Sequence, residues 1–415
     1  MIFARLWANI IFARSLHAIF TQRHAMSAQY TPSQHTPASS LSAHTTHHFP
    51  RHLPRRLRAE WEHQRAVLLS FPHERSDWAS QIDRARECFL HIIESIIAFE
   101  SVLVCIDCED YAGLQAICAR FAPDVPCSLE ITPFTTLALT ESITLAFVPT
   151  NDTWARDFGA ITCALDLDSA TAKSIKPESN LLLHFNFNGW GLKYPANFDN
   201  QITRHLHTLG AITGVLESHA LVLEGGSIDS DGAGSILTTT TCLLEPNRNP
   251  TLTKLELESS LREILGIDRV LWLEHGYLRG DDTDSHVDML ARFIDEHTIA
   301  YVSCDDEHDE HYTELKLMER ELQALRTKNG EPYNLIALPF VPAIYDESGE
   351  RLPASYVNFL FVNGALLVPI YDESSDDLAL RLLRSALPDR KVLGVHARTL
   401  IEWHGSLHCV SMQLY

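Results

Sequence analysis

Thr298-Ile299-Ala300-Tyr301-Val302-Ser303-Cys304, then Tyr312-Thr313-Glu314-Leu315-Lys316-Leu317-Met318-Glu319-Arg320-Glu321-Leu322-Gln323-Ala324-Leu325, then Leu335-Ile336-Ala337-Leu338-Pro339. The outer two segments are short and apolar, the first also rich in β-branched and aromatic residues, which predicts buried strands. The middle segment mixes charged and apolar residues over a length suited to a helix. The same texture recurs along the chain. Arg65–Phe71 reads as a strand, Asp77–Phe99 as a helix with apolar positions at three- and four-residue spacing, and Val102–Ile106 as a strand. A helix over Tyr111–Arg120 and a strand over Cys127–Thr132 follow. Leu181–Phe187 with Phe198–Leu209 repeats the pattern, as does Ile236–Leu244 with Leu252–Leu265 and Val270–Trp272. Phe359–Tyr371 with Asp376–Ala386 and Val392–Val395 is the last such unit.

The rhythm is strand, strand, helix, strand, at about 60–75 residues per unit, and five like units predict a closed pseudo-symmetric array rather than an open sheet. A dinucleotide fold demands Gly-x-Gly-x-x-Gly between a strand and a helix, and a P-loop demands Gly-Lys-Ser/Thr. Neither is present; Gly232-x-Gly234 falls in a turn between two strands.

The chain has 415 residues, 45% hydrophobic and 21% charged, with no run of 18 apolar residues, so no spanning helix is expected. Residues 1–59 carry seven arginines, no lysine and no acid, which leaves 26 basic against 54 acidic residues in the remainder, a net of −28. Such a body repels nucleic acid and anionic lipid and favours a small cationic substrate. Residues 1–52 are expected to be a disordered extension outside the fold, either a targeting segment or an over-long start with Met26 or a later codon as the true one. The folded region is then 53–415, a single domain.

Nine cysteines (88, 105, 108, 118, 127, 163, 242, 304 and 409) have irregular spacing, which argues for a reducing, cytoplasmic compartment rather than a disulfide framework. Cys105-x-x-Cys108 has redox or zinc spacing but sits in a strand-like run with no second Cys/His pair near it.

Four stretches set charged side chains among small or apolar ones. Thr150-Asn151-Asp152-Thr153-Trp154-Ala155-Arg156-Asp157-Phe158-Gly159 precedes a strand, Ala160–Leu165; Arg156 beside Asp157 reads equally as a turn ion pair. Leu221-Val222-Leu223-Glu224-Gly225-Gly226 places an acid between an apolar strand and two glycines that let backbone or ligand approach, or simply ends a strand in a turn. In Ser285-His286-Val287-Asp288-Met289-Leu290, an extended backbone puts His286 and Asp288 on one face, about 7 Å apart. That suits a proton shuttle beside a cation-holding carboxylate; a core histidine and a capping acid are the bland reading. With His396, His404 or His408 it also suits a non-haem iron triad. Finally, Glu402-Trp403-His404-Gly405-Ser406-Leu407-His408-Cys409-Val410 carries a cysteine near the end of a tail apolar enough to be buried. It is a candidate nucleophile, or a small buried hydrophobe as most free cysteines are. Three carboxylates around a thiolate raise its pKa, so the set makes sense only if the substrate brings a delocalised positive charge, as a guanidinium does.

The runs Ala59-Glu60-Trp61-Glu62, Trp154-Ala155-Arg156-Asp157, Leu223-Glu224-Gly225-Gly226-Ser227, Pro246-Asn247-Arg248-Asn249-Pro250, His286-Val287-Asp288, Ser355-Tyr356-Val357-Asn358-Phe359 and His408-Cys409 together resemble the agmatine deiminase and bacterial (Porphyromonas-type) peptidylarginine deiminase family of the guanidine-modifying (pentein) superfamily. They occur in family order. The resemblance implies an α/β fold, a five-bladed α/β propeller of ββαβ units. It implies Cys409 as nucleophile, His286 as general acid/base, Asp157 and Asp288 as the carboxylates gripping the guanidinium, and Glu224 orienting substrate and His286. Trp154 and Asn358 match positions lining the substrate region.

The implied reaction is hydrolysis of agmatine to N-carbamoylputrescine and ammonia through a Cys409 thiouronium, without metal or cofactor. Alternatives are a peptidylarginine or free-arginine deiminase, an inactive guanidinium-binding protein, and the iron oxygenase above. No nucleic-acid or membrane partner is expected, and assembly as a homo-oligomer is left open. Two departures stand beside reacting residues. Family members commonly read Trp-x-Arg-Asp-Thr-Gly-Pro and Gly-Gly-Gly-Asn-Ile-His-Cys, where this chain has Phe158, Ala160 and Trp403-His404-Gly405-Ser406-Leu407-His408-Cys409.

Overall fold

In the stretch quoted first, Ala291–Asp295 pairs antiparallel with Thr298–Ser303, the helix Tyr312–Ala324 crosses over, and Asn334–Pro339 returns parallel to Thr298–Ser303. The helix buries Leu315, Met318 and Leu322, one face at helical spacing, against the sheet. This ββαβ order recurs. Ile228–Ser230, Ser235–Thr239, Lys254–Leu265 and Arg269–Leu273 form one blade. Leu360–Val362, Ala365–Ile370, Asp376–Ala386 and Lys391–His396 form another. A further blade has Ile161–Leu165, Asn180–Asn186, Ile202–Thr208 and Val215–Val222, with Arg55–Leu57 added at its edge.

The remaining blade joins the two ends of the fold. Ser411–Leu414 pairs antiparallel with Ala66–Ser70, which runs parallel to Ser101–Ile106 across the helix Ile82–Ile97. The computed structural model, which describes residues 54–124, 131–165 and 180–415, is thus a five-bladed α/β propeller. The expected extension 1–52 and residues 127–130 of the expected strand Cys127–Thr132 lie outside the described residues.

Several element boundaries depart from expectation for local reasons. Phe359–Tyr371 is two strands, because Asn363-Gly364 turns the chain, with Gly364 at φ 76°. The strand expected to reach Leu244 stops at Thr239, whose hydroxyl accepts from the Cys242 N–H and caps the short helix Thr240–Leu243. Ile131 and Thr132 are not in a strand; the sheet is extended instead by Thr135–Ala138 and Ile143–Phe147.

The blades meet on a buried charge cluster. Glu60 accepts from Arg156 Nη1 and from His408 Nε2, each at 2.8 Å, from Gln413 Nε2 at 2.9 Å, and from Arg292. Arg292 is fully buried, donates also to the Phe359 carbonyl and to Asp229 at 3.3 Å, and lies 4.4 Å over the Phe359 ring. Burial works against the Glu60 charge, but Arg156, Arg292 and His408 hold its carboxyl well below the usual range. Each of the five blades contributes to this cluster, so it sets how the blades abut.

Removing the cation should therefore be costly. Arg292→Ala leaves Glu60 and Asp229 buried short of a partner, and is expected to lower the unfolding free energy by roughly 3–5 kcal/mol. Urea titration of the two proteins measures this; a difference under about 1 kcal/mol, the scale of an exposed pair, would remove the cluster from the stability account.

Candidate active site

Cys409 lies in the turn that leads into the last strand. Ser411 Oγ closes that turn on the carbonyls of Leu407 and His408, at 2.9 and 3.0 Å. Asn358 Oδ1 accepts from the His408 N–H at 2.8 Å and the Cys409 N–H at 3.4 Å, and its Nδ2 lies 3.3 Å from the sulfur. The backbone under the nucleophile candidate is thus held by a side chain from another blade. Asp157 follows on the short turn Ala155–Phe158, tied to the same place because the Arg156 N–H donates to the Cys409 carbonyl at 3.2 Å.

Around the sulfur, Asp288 Oδ2 stands 3.7 Å from Sγ. Asp157 Oδ1 accepts from the Gly226 N–H at 2.9 Å and Oδ2 from Trp190 Nε1 at 3.0 Å. His286 Nδ1 is 3.7 Å from Asp157 and its Nε2 is 3.9 Å from Glu224. Gly226 shows how tightly these groups converge. A β-carbon there would stand 2.7 Å from His286 Nδ1, 2.9 Å from Asp157 Oδ1 and 3.0 Å from Asp288 Oδ2. Only glycine leaves that space open. Two buried atoms, His286 Nε2 and Asp288 Oδ1, have no hydrogen-bond partner, which marks them as ready for a ligand.

The carboxylates are not equivalent. Glu224 is fully buried, with both oxygens 2.9–3.0 Å from Arg248 Nε, and Arg248 continues to Asp284 at 2.7 Å. Against burial, His286 and Arg248 lower its pKa. Asp288 is lowered likewise, burial being outweighed first by His408. Asp157 has no such cation: burial pushes it up to about 6, His286 opposing and Asp288 and Glu224 adding to the rise. For His286, burial disfavours the proton, but Asp157, the Cys242 sulfur and Glu224 outweigh it and raise its pKa well above the ordinary value. Cys409 is raised well above the usual thiol range, by burial first and then by Asp288 and Asp157. In the ligand-free protein the sulfur is therefore a thiol.

Cys409 and Asp157 line a cavity of about 320 Å³ walled by Trp154, Trp190, Tyr194 and Trp403. Asp77, Asp152, Asp282 and Glu402 also face it. Asp157, Asp288, His286, Glu224 and Cys409, expected from the sequence, are brought together, with Trp154 on the cavity wall and Asn358 beneath the sulfur.

His286 and Asp288 meet for a different reason from the extended backbone considered above: Val287–Met289 is a 3-10 turn. Arg156 is no turn ion pair with Asp157; it reaches Glu60 and, at 2.6 Å, Gln413. Sequence reasoning gave no role to Trp190 or Arg248 and considered His408 only as an iron ligand, although the Gly189-Trp190-Gly191 and Pro-Asn-Arg-Asn-Pro runs were visible signals; the former takes positive φ angles of 70°, 54° and 78°.

The iron triad does not fit the residues present. His396 faces Asp372 at the surface, His404 Nδ1 bonds the Gly280 carbonyl at 2.7 Å, and His408 is taken up by Asp288 and Glu60. Among the described residues, the three side chains close enough to share an ion are Glu224, Cys242 and His286, and both Glu224 oxygens are engaged by the Arg248 cation.

A model of the Porphyromonas-type peptidyl-arginine deiminase family matches residues 56–414. A protein of Marinomonas sp. (strain MWYL1) assigned as an agmatine deiminase is 30% identical over 378 residues, which span 86% of this chain and 94% of that one. A crystal structure assigned as a peptidyl-arginine deiminase is 48% identical, with a TM-score of 0.78, covering 87% of this chain and 99% of its own. A cysteine-to-serine variant of C. jejuni agmatine deiminase, solved with substrate bound, is 35% identical with a TM-score of 0.75, covering 86% of this chain and 96% of its own.

The raised thiol pKa has a measurable sign. Cys409 in the ligand-free protein is expected to react with a neutral alkylating reagent at pH 8 at least tenfold more slowly than a free cysteine, whose pKa is about 8.5. Asp288→Asn, which removes a raising charge, should speed that reaction. Mass spectrometry of the Cys409 peptide follows it, and wild-type alkylation at the free-cysteine rate would contradict the electrostatics.

Proposed function

The chain belongs to the Porphyromonas-type peptidyl-arginine deiminase family, and from that premise we propose that it hydrolyses agmatine to N-carbamoylputrescine and ammonia, within a single deiminase domain spanning 53–415. The observation that carries this reading is the pair Asp157 and Asp288 beside the Cys409 sulfur and the His286 ring, around a space that Gly226 keeps open. Two carboxylates flanking a soft nucleophile match a planar cation that presents N–H groups on two edges.

The chemistry follows from the charges. A bound guanidinium offsets the Asp157 and Asp288 charges that hold the thiol protonated, so Cys409 loses its proton to solvent on binding. The carboxylates localise charge on the nitrogens, and the thiolate attacks the guanidinium carbon. His286, protonated at the outset, gives its proton to the departing nitrogen, which leaves as ammonia, and a covalent thiouronium remains. Neutral His286 then takes a proton from water as the oxygen adds to the same carbon. Breaking the C–S bond, with the hydroxyl proton passing to sulfur, yields the ureido product and the Cys409 thiol.

The other acids lining the cavity favour agmatine over arginine. Asp77, Asp152 and Asp282 line it, as does Glu402, which Arg84 pairs, so an ammonium is attracted and an α-carboxylate repelled. The product is a precursor of putrescine, which sets the enzyme in polyamine metabolism. Its place is the cytoplasm: the eight described cysteines are all free thiols, as a reducing compartment keeps them.

Purified protein offered agmatine, arginine and arginyl peptides should release ammonia from agmatine with a kcat/KM roughly a hundredfold or more above that for arginine, since like charges at a binding surface cost several kcal/mol. Cys409→Ala should abolish turnover and keep agmatine binding. Absence of turnover on every guanidine sinks the enzyme reading, and faster arginine turnover moves the substrate to the other branch of the family. Because Asp157 must be ionised to grip the cation, kcat/KM should fall as pH descends through about 6; a profile flat down to pH 5 would take Asp157 out of the grip.

A further inference from the structure

His408 precedes the proposed nucleophile but faces away from the cavity. Its ring is fully buried, with Nδ1 2.7 Å from Asp288 Oδ2 and Nε2 2.8 Å from Glu60 Oε1. A carboxylate only accepts, so the Nδ1 contact is a donation to Asp288, and satisfying both contacts takes a proton on each nitrogen. Burial and the cations Arg156 and Arg292 act against a second proton, and Glu60 and Asp288 act for it. The two short contacts hold the second proton nonetheless, since a ring nitrogen lone pair facing a carboxylate at that distance is repulsive.

The far side of the ring is equally well anchored. Glu60 is gripped by Arg156, Arg292 and Gln413, so His408 has little freedom to turn. Asp288 depends on it. One Asp288 oxygen, Oδ2, is taken by His408 and stands 3.7 Å from the sulfur; the other, Oδ1, is buried without a partner. An unsupported buried carboxylate can rotate about its side-chain bonds or take up a proton, and in either case ceases to grip a cation.

We propose that His408 is a positioning residue: by donating from Nδ1 to Asp288 Oδ2 and bracing on Glu60, it holds Asp288 in the one orientation that leaves Oδ1 as acceptor for the substrate guanidinium. This rests on the assignment of Asp288 as a guanidinium carboxylate. His408 touches neither substrate nor sulfur in this role. The chain thereby couples the charge cluster at the junction of the blades to the reacting centre through one ring.

The two amide replacements of His408 separate positioning from packing. The Asn amide nitrogen falls where Nδ1 lies and can still donate to Asp288; the Gln amide nitrogen falls near Nε2 and reaches Glu60 instead. Asn is smaller than Gln by one methylene, so a merely structural role penalises His408→Asn at least as much as His408→Gln. Agmatine binding is measured by calorimetry in the full chain carrying Cys409→Ala, with and without each replacement, alongside the unfolding midpoint. His408→Gln should weaken binding roughly tenfold to a hundredfold, the range for losing a hydrogen bond to a charged group, and His408→Asn should bind at least several-fold more tightly than His408→Gln. Equal losses in the two, or none in either, overturn the proposal. Should neither variant fold, 15N NMR of histidine in the unaltered protein decides: a proton on His408 Nδ1 is expected, and a bare Nδ1 refutes it. If Cys409→Ala binds no agmatine while wild type turns over no guanidine, the deiminase reading fails instead, a result distinct from any outcome at His408.

Discussion

Glu60 and its four partners are what the rest of the molecule depends on. A buried carboxylate is expensive to desolvate, and this one is tolerated because Arg156, Arg292 and the His408–Gln413 end of the chain reach it from different directions. Such a cluster is satisfied in one arrangement only. Shifting any blade by a few ångström would leave a charge unpaired, so the electrostatics make the mutual placement of the blades specific in a way apolar packing alone does not. It also explains why the end of the chain is ordered. Met412 and Gln413 are buried, Gln413 bonds Glu60 and Arg156, and Ser411–Leu414 is a strand rather than a frayed tail. The proposed nucleophile hangs on that strand, and its position is inherited from the cluster.

The acids around the sulfur divide into compensated and open ones. Glu224 is matched by Arg248 and Asp288 by His408, while Asp157 is hydrogen-bonded by neutral donors, the Gly226 N–H and the Trp190 indole N–H, with the His286 ring farther off at 3.7 Å. The compensated pair stay ionised and keep their geometry. The open one remains sensitive to what enters the cavity. A neutral molecule does nothing to offset the charges that raise the Cys409 pKa, so the sulfur stays a thiol and inert. A cation removes the obstacle as it binds. On the proposed mechanism, selectivity for charge and activation of Cys409 are then one event, and a site overloaded with carboxylates is an asset rather than a contradiction.

How much of this was legible in the sequence depended on whether a feature was local. Asp376–Ala386 and Leu335–Pro339 were readable from periodicity because a helix face and a buried strand impose their own patterns. Val215–Val222 escaped notice because its alternation carries Glu217 and His219 on a half-exposed blade edge. The candidate site was legible where a charge sat among glycines or apolar residues, as Glu224 and Asp288 do. What stayed hidden was pairing across blades. Nothing near Arg156 in sequence says that its partner is Glu60, 96 residues earlier, and nothing near Glu224 says that Arg248 neutralises it. The family resemblance marked Glu60, Arg248 and His408 as places of interest without saying what they touch, and the contacts supply that.

The departures from the family pattern acquire a physical meaning in the same way. Where related tails carry glycines, Trp403 stacks on Trp78 with ring centroids 4.8 Å apart at 19°, and Trp78 in turn lies 5.9 Å from Trp154. Gly405 is kept because a side chain there would run into the Trp154 ring. Trp154 and Trp403, with Asp152 and Glu402 facing the same cavity, make a wall of aromatic faces beside carboxylates. Burial pushes Asp152 up to about 7, so it is readily neutral when the cavity is empty and is drawn into its charged form by an adjacent ammonium. Aromatic faces attract a cation without demanding a particular hydrogen-bond geometry. On the proposed reading, a flexible alkyl-ammonium tail is held by such faces with little ordering cost, while the rigid guanidinium is held by paired carboxylates. The proposed recognition of the two charges thus rests on different physics, directional for the guanidinium and diffuse for the ammonium.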